Sequence, residues 1–159
     1  MRRFGNLGWI VLLFCASLWG APFTDNGNGT VTDSATGLVW QKCSNGQNVT
    51  SCSGSASTLI WSSAITYCEG LTLGGRGDWR LPNVNELRSI VDITKSVPAI
   101  DTSAFPNTQS NFYWSSSTLA QLTSAAWGVY FNYGTVDYLI GGPGGGKASS
   151  SYVRCVTGP

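Results

Sequence analysis

The residues able to do chemistry in this chain are few and unevenly placed. There is no histidine, so a proton-transfer group would have to come from a carboxylate, a lysine or a tyrosine, and a nucleophile from serine or threonine. Asp78, Arg80 and Glu86 gather in the stretch GDWRLPNVNELRSIVD, and two carboxylates flanking a cation are raw material for acid–base or glycosidase chemistry. That chemistry depends on a defined separation of the carboxyl groups, which spacing along a chain does not supply. The same residues have structural work open to them. Asn83 followed three positions later by Glu86 is a capping box, and Arg80 can pair with Asp78 or another acid to pin the loop. The structural role is the expectation adopted here: no catalytic residue is assigned and the chain is read as a non-enzyme.

Binding has better material. Tyr130, Asn132, Tyr133, Asp137 and Tyr138 crowd one stretch of the C-terminal half. Tyrosine presents a rigid ring and a hydroxyl at low entropic cost, and asparagine adapts its hydrogen bonds. This composition suits a glycan or a protein surface, so these five residues are the candidate ligand contacts. Trp61, Trp79, Trp114 and Trp127 are read as core residues. Asp25, Asn26 and Asn28 offer oxygens, but the EF-hand spacing is missing and turn chemistry explains them. No metal or cofactor is assigned.

The elements that must carry these residues follow from the pattern. Residues 23–33 (FTDNGNGTVTD) read as two short strands about an Asn-Gly turn, and a further strand begins at Leu38. Residues 44–58 form a polar loop. Trp61, Ala64, Ile65, Cys68 and Leu71 recur at helical spacing, with Ser57 or Thr58 as N-cap and Gly70 near the C-terminus. A second helix starts after Asn83, with Val84, Leu87, Ile90 and Val91 as its apolar face, and runs to about Asp92. From residue 112 the pattern shortens to strands. Trp127, Val129 and Phe131 alternate with Gly128, Tyr130 and Asn132, which predicts one inward and one outward face. Residues 135–140 form the return strand, residues 141–150 a glycine-rich loop, and residues 152–156 (YVRCV) one closing strand. Periodicity alone gives an α+β domain.

Covalent staples come next. With Cys15 inside the N-terminal apolar run expected to be removed, Cys43, Cys52, Cys68 and Cys155 remain as an even set, and four cysteines permit three connectivities. No C-x-x-C spacing occurs, which argues against zinc. The pairing preferred is Cys43–Cys52, closing the short polar loop, with Cys68–Cys155 tying the first helix to the last strand. Chain entropy would put these at about 2.7 and about 4.6 kcal/mol. Disulfides imply an oxidising compartment, and the N-terminus agrees. Arg2 and Arg3 precede an apolar run over residues 9–18, followed by Gly20 and Ala21, the layout of a secretory signal peptide cleaved after residue 20. Residues 21–159 then form one extracytoplasmic domain, periplasmic, secreted or on the cell surface. The chain's nine Lys and Arg fall to seven without Arg2 and Arg3 (9 − 2), against eight Asp and Glu. Neither nucleic acid nor an anionic membrane is expected as partner, and no lasting membrane span remains.

The ordered series FTDNGNGTVTDSATGLVWQKC, GDWRLPNVNELRSIVD, YWSSS, AW-x-V-x-F and YVRCV resembles the Lcl C-terminal-domain family, bacterial extracellular domains named for the C-terminal part of a collagen-like adhesin. The resemblance runs from about Phe23 to Val156. More distantly, Arg80-Leu81-Pro82 with Glu86, and a closing strand holding Arg154 and Cys155, are similar to the formylglycine-generating, sulfatase-modifying proteins. That similarity implies a C-type-lectin-like fold, with two early helices, a disulfide from the first helix to the last strand, and a loop-rich region between. On this reading Asp78, Trp79, Arg80, Leu81, Pro82, Glu86, Trp114, Trp127 and Arg154 are structural residues. The catalytic cysteine pair of those enzymes does not transfer, because the C-terminal half holds only Cys155. The Glu-Pro-Asn and Trp-Asn-Asp calcium motifs of true C-type lectins are also missing.

Overall fold

The computed structural model describes residues 22–139 and 145–159. The export segment expected at residues 1–20, the expected end of the return strand at Ile140 and residues 141–144 of the expected glycine-rich loop lie outside the described residues. Strands β1 (Phe23–Asp25) and β2 (Thr30–Asp33) form the expected hairpin, with Thr24 opposite Thr32. Its turn is made by side chains closing on local backbone. Asp25 accepts from the Gly27 amide at 3.0 Å, and Asn26 donates to Thr30 Oγ1 at 2.8 Å. The oxygens that resembled a metal loop are thus turn bonds, with Lys42 Nζ 2.7 Å from Asp25. Strand β3 (Val39–Gln41) pairs with β2 and puts Trp40 fully inside.

Strand β4 (Thr58–Leu59) leads directly into helix α1 (Trp61–Glu69). The expected caps Ser57 and Thr58 are not used. Thr58 is paired in β4 with Tyr152, and Ile60 occupies the N-cap position with no side-chain bond. Leu71 lies past the helix end but still packs on its core. Helix α2 (Val84–Ser89) has the full capping box: Asn83 accepts from the Asn85 and Glu86 amides at 2.9 and 3.0 Å, and Glu86 accepts from the Asn83 amide at 2.8 Å. It ends at Ser89 rather than Asp92, because Asp92 turns its carboxylate onto the Thr94 amide and hydroxyl, and Val91 bridges to Ile100.

The C-terminal half supplies β5 (Phe112–Leu119), β6 (Leu122–Tyr130), β7 (Thr135–Leu139), β8 (Ser151–Tyr152) and β9 (Val156–Thr157), with a 3-10 turn at Gly146–Ala148. They build two sheets, a four-stranded one in the order β1-β2-β3-β9 and a five-stranded one in the order β4-β8-β5-β6-β7. The predicted single closing strand is therefore broken in two. Tyr152 pairs with Thr58 and, in parallel, with Tyr113, whereas Val156 pairs with Trp40 and Arg80. Val153, Arg154 and Cys155 between them are all buried. Val153 and Cys155 enter one core, while Arg154 faces Phe105 and Tyr113. Side-chain alternation survives where the strand pairing changes sheets.

Both faces of the five-stranded sheet are covered. Phe112 and Trp114 of β5 point to the core that holds Ala64 and Cys68 of α1, and Tyr113 points to the core that holds Leu87 of α2. Gly128 opposite Trp114 is a consequence of that crowding, since a Cβ there would strike the Tyr113 carbonyl and the Phe112 ring. The expected outward face of β6 is not free: Tyr130 is half-buried, its ring edge-on to Phe112 at 4.9 Å. Trp79 and Trp114 are core residues, as expected. Trp61 and Trp127 are only half-buried, Trp61 under Lys147 and Trp127 edge-on to Tyr138 at 5.0 Å. Both preferred disulfides are present, with Cα separations of 4.9 Å for Cys43–Cys52 and 5.5 Å for Cys68–Cys155, ordinary spans for such bonds. No helix among the described residues is long and apolar enough to cross a membrane.

Candidate functional site

The charged cluster of the central motif resolves into two separate structural pairs. Arg80 makes a two-pronged contact with Glu86, both N–O distances 2.7 Å, and its backbone exchanges both hydrogen bonds with Val156 at 2.9 Å. Burial works against ionisation of Glu86, but the bonds from Arg80 and the Asn83 amide, with the charge of Arg80, outweigh it and hold the carboxyl below its ordinary value. Asp78 goes elsewhere. It takes Arg76 at 3.0 and 2.7 Å and the Thr157 hydroxyl at 2.7 Å. The Arg76 bonds first, then that of Thr157, hold its carboxyl far below the usual carboxylate range. Of the two partners open to Arg80, Glu86 is the one chosen.

The five tyrosine, asparagine and aspartate residues of the C-terminal half do not share one face. The pairing of β6 with β7 sets Tyr130 opposite Thr135, Gly128 opposite Asp137 and Trp127 opposite Tyr138. Strand alternation then puts Tyr130 and Asp137 on the α1 side and Tyr138 on the α2 side. Asn132 and Tyr133 lie in the connecting turn, where Tyr133 is 67% exposed. That turn is tied to a different part of the molecule, since the Val97 amide donates to the Asn132 carbonyl at 2.8 Å and the Phe131 amide to the Asn111 carbonyl at 3.0 Å.

Val97 and Asn111 both line a cleft of about 1120 Å³. One part of the lining is Gln47 of the Cys43–Cys52 loop with residues 54–56 just beyond it; Val97, Pro98, Thr102, residues 106–111 and Tyr152 complete it. No Asp, Glu, Lys or Arg lines it among the described residues. Three of its carboxamides are each anchored at one end. Asn107 Nδ2 donates to the Cys52 carbonyl at 2.9 Å, Gln109 Nε2 donates to the Asn107 carbonyl at 3.0 Å, and Asn111 Oδ1 accepts from the Phe112 amide at 2.8 Å. Among the described residues this leaves Asn107 Oδ1, Gln109 Oε1 and Asn111 Nδ2 without partners. Gln47, by contrast, is engaged at both ends, with the Ser44 amide and the Asn107 carbonyl. Below the floor, Tyr113 ties the site together: its hydroxyl meets Ser44 Oγ at 2.7 Å and accepts from the Gln109 amide at 3.0 Å, and its ring stacks on Tyr152 at 5.5 Å.

Backbone strain collects at the same place. Among the described residues, the non-glycine ones with left-handed φ are Cys52, Val97 and Asn107, at 54°, 52° and 51°. Two of them line the cleft and the third is hydrogen-bonded to Asn107. Such conformations persist only where surrounding contacts over-determine them. Behind the floor lies Arg154, fully buried, with Nη2 donating to Thr108 Oγ1 at 3.0 Å and its guanidinium carbon 4.8 Å from the Phe105 ring. Its Nε and Nη1 have no protein partner among the described residues. Burial lowers its pKa, and the aromatic faces are what the structure offers the charge in place of an acid.

Sequence reasoning missed Asn107, Gln109, Asn111 and Tyr152 as a site. Their only linear signal is the polar run PNTQSN at residues 106–111, whose composition is also that of an ordinary turn. No curated protein and no solved structure matches the chain. The Lcl C-terminal domain profile matches residues 29–157, a span that takes in every strand from β2 to β9, both disulfides and the cleft. The chain belongs to the Lcl C-terminal domain family.

Proposed function

We propose that this chain is an extracytoplasmic recognition module, C-type-lectin-like in plan, that holds a glycan or protein ligand on the loop face of its C-terminal half and performs no catalysis. The observation that carries this reading is the cleft between the Cys43–Cys52 loop and residues 97–111. It combines hydrogen-bonded walls and half-anchored carboxamides with a lining free of acids and bases among the described residues. A site with pre-set hydrogen-bonding groups and no group suited to proton transfer at neutral pH is equipped to bind rather than to transform. The Asn132–Tyr133 turn, bonded to the cleft wall through Val97, extends the same surface and keeps two of the five sequence-derived contacts in it. Asp137 and Tyr138 stand farther along β7. The C-type-lectin-like plan draws support from the Cys68–Cys155 clasp between α1 and the C-terminal segment. Extracytoplasmic placement draws support from the two disulfides.

The test is capture on glycan and protein arrays by the oxidised protein, compared with Asn111→Asp and Tyr133→Ala variants. A bound class whose signal falls in either variant, with thermal melting unchanged, upholds the reading. Equal capture by all three proteins, or capture by none, sinks it.

A further inference from the structure

From the same cleft we infer the chemical class of the ligand, an inference that rests on the recognition reading above: an uncharged saccharide, bound through vicinal hydroxyls. The argument starts from what the open groups can do. Asn107 Oδ1 and Gln109 Oε1 accept hydrogen bonds, whereas Asn111 Nδ2 donates. A carboxylate or sulfate needs donors and would face two acceptors here. An ammonium needs acceptors and would face a donor. A sugar hydroxyl both donates and accepts, so neighbouring hydroxyls match a lining of mixed polarity.

Charge points the same way. The lining has no Asp, Glu, Lys or Arg among the described residues. The nearest buried cation, Arg154, is screened from it: Nη2 ends on Thr108 Oγ1, whose own proton goes to the Phe105 carbonyl at 2.8 Å. Size is adequate, since about 1120 Å³ lies just above the range of about 300–1,000 Å³ for ligand pockets and admits more than one sugar ring. The half-buried Tyr152 supplies an aromatic surface, held flat against Tyr113 at 30°, for the apolar face of a ring. Anchoring matters as much as polarity. Each of the three carboxamides has one end fixed by the protein, so less side-chain entropy is lost when a ligand takes the other end.

The experiment uses the full oxidised protein against immobilised chito-, malto-, manno- and galacto-oligosaccharides, with polyuronate, sulfated polysaccharide and an unfolded protein alongside, at low and at high salt. Asn111→Asp is the decisive variant, because the carboxylate still accepts from the Phe112 amide while the one open carboxamide donor is lost. Gln109→Ala serves as the second. The expected result is capture of one or more neutral oligosaccharides, insensitive to salt, and weakened tenfold or more by Asn111→Asp with melting unchanged. Capture of only the charged polysaccharides or only the unfolded protein, still dependent on Asn111, overturns the saccharide class and leaves the recognition reading standing. Neutral-sugar capture untouched by both variants removes the ligand from this cleft. Capture of nothing overturns both. Should Asn111→Asp fail to fold, Gln109→Ala alone decides.

Discussion

Two arginines of the same short motif set meet opposite fates, and the contrast separates structural polarity from polarity held open. Around Arg80 the side-chain partners lie within the chain. Its guanidinium holds both oxygens of Glu86, Glu86 also takes the Asn83 amide, Asn83 caps α2, and the backbone of Arg80 is exchanged with Val156. Around Arg154 the accounting stays incomplete. Two buried guanidinium nitrogens lack protein partners among the described residues, and a native interior rarely leaves such groups unpaired. In the cleft in front of Thr108, three carboxamide atoms of exposed or half-buried residues are left open to water or a ligand. The first region builds the fold, and the second is where something else completes it.

The largest test of this contrast is covalent. Removing Cys68–Cys155, whose cysteines are 87 residues apart, is expected to cost about 4.6 kcal/mol, and removing Cys43–Cys52, 9 apart, about 2.7 kcal/mol. Urea melts of the two paired Cys→Ala variants measure the difference. The smaller loss should carry the larger fall in ligand capture, because the short loop lines the cleft through Gln47. If capture follows stability instead, the division between the regions fails.

Within the Arg80 region, Glu86→Ala takes away the reciprocal half of the capping box and a partly exposed ion pair, and should cost about 1–2 kcal/mol in a chemical melt. Acid probes the same carboxylate. Glu86 and Asp101 are both held below their ordinary values in the folded protein, so the unfolded chain binds protons first as pH falls. Their stabilisation is full above the ordinary carboxylate range near pH 4 and is lost as pH drops through the lower folded values. Melting temperature should be level from pH 5 to 8, a span in which histidine would titrate and this chain has none. Glu86→Gln should flatten part of the acid limb. The smallest change is expected at Arg154→Met. A long apolar side chain keeps the packing on Phe105 and removes a desolvated charge, so stability should stay within about 1 kcal/mol of the parent. A loss of several kcal/mol would mean that the guanidinium is fully satisfied after all, and the contrast would close.

What could be read in advance was whatever depends on near neighbours. Asn83 and Glu86 sit three residues apart, and the capping box followed. Cys68 falls on the apolar stripe of α1, and its bond to the C-terminal segment followed. The Asn-Gly turn between β1 and β2 is equally local. The length of α2 was misjudged because Val91 continues the apolar period while Asp92 already folds back on Thr94. The closing segment was misread for a deeper reason: YVRCV alternates as one strand does, and only the partners, Thr58 and Tyr113 on one side and Trp40 on the other, divide it. Period-two alternation marks Tyr130 as outward-facing, since it distinguishes two faces without saying that a helix covers each. The cleft was the least legible part. Its walls come from residues 47–56, 97–111 and 152, and nothing along the chain brings Asn107 to the Cys52 carbonyl.

The division of residues 151–157 between the two sheets bears on the order in which the molecule can be made. A ribosome releases β1 through β7 first, yet β3 waits for β9 and β4 waits for β8, so neither layer can be finished while those seven residues remain in the exit tunnel. Residues 23–150 can thus be made before either layer closes, and the covalent clasp at Cys155 waits for the same short segment.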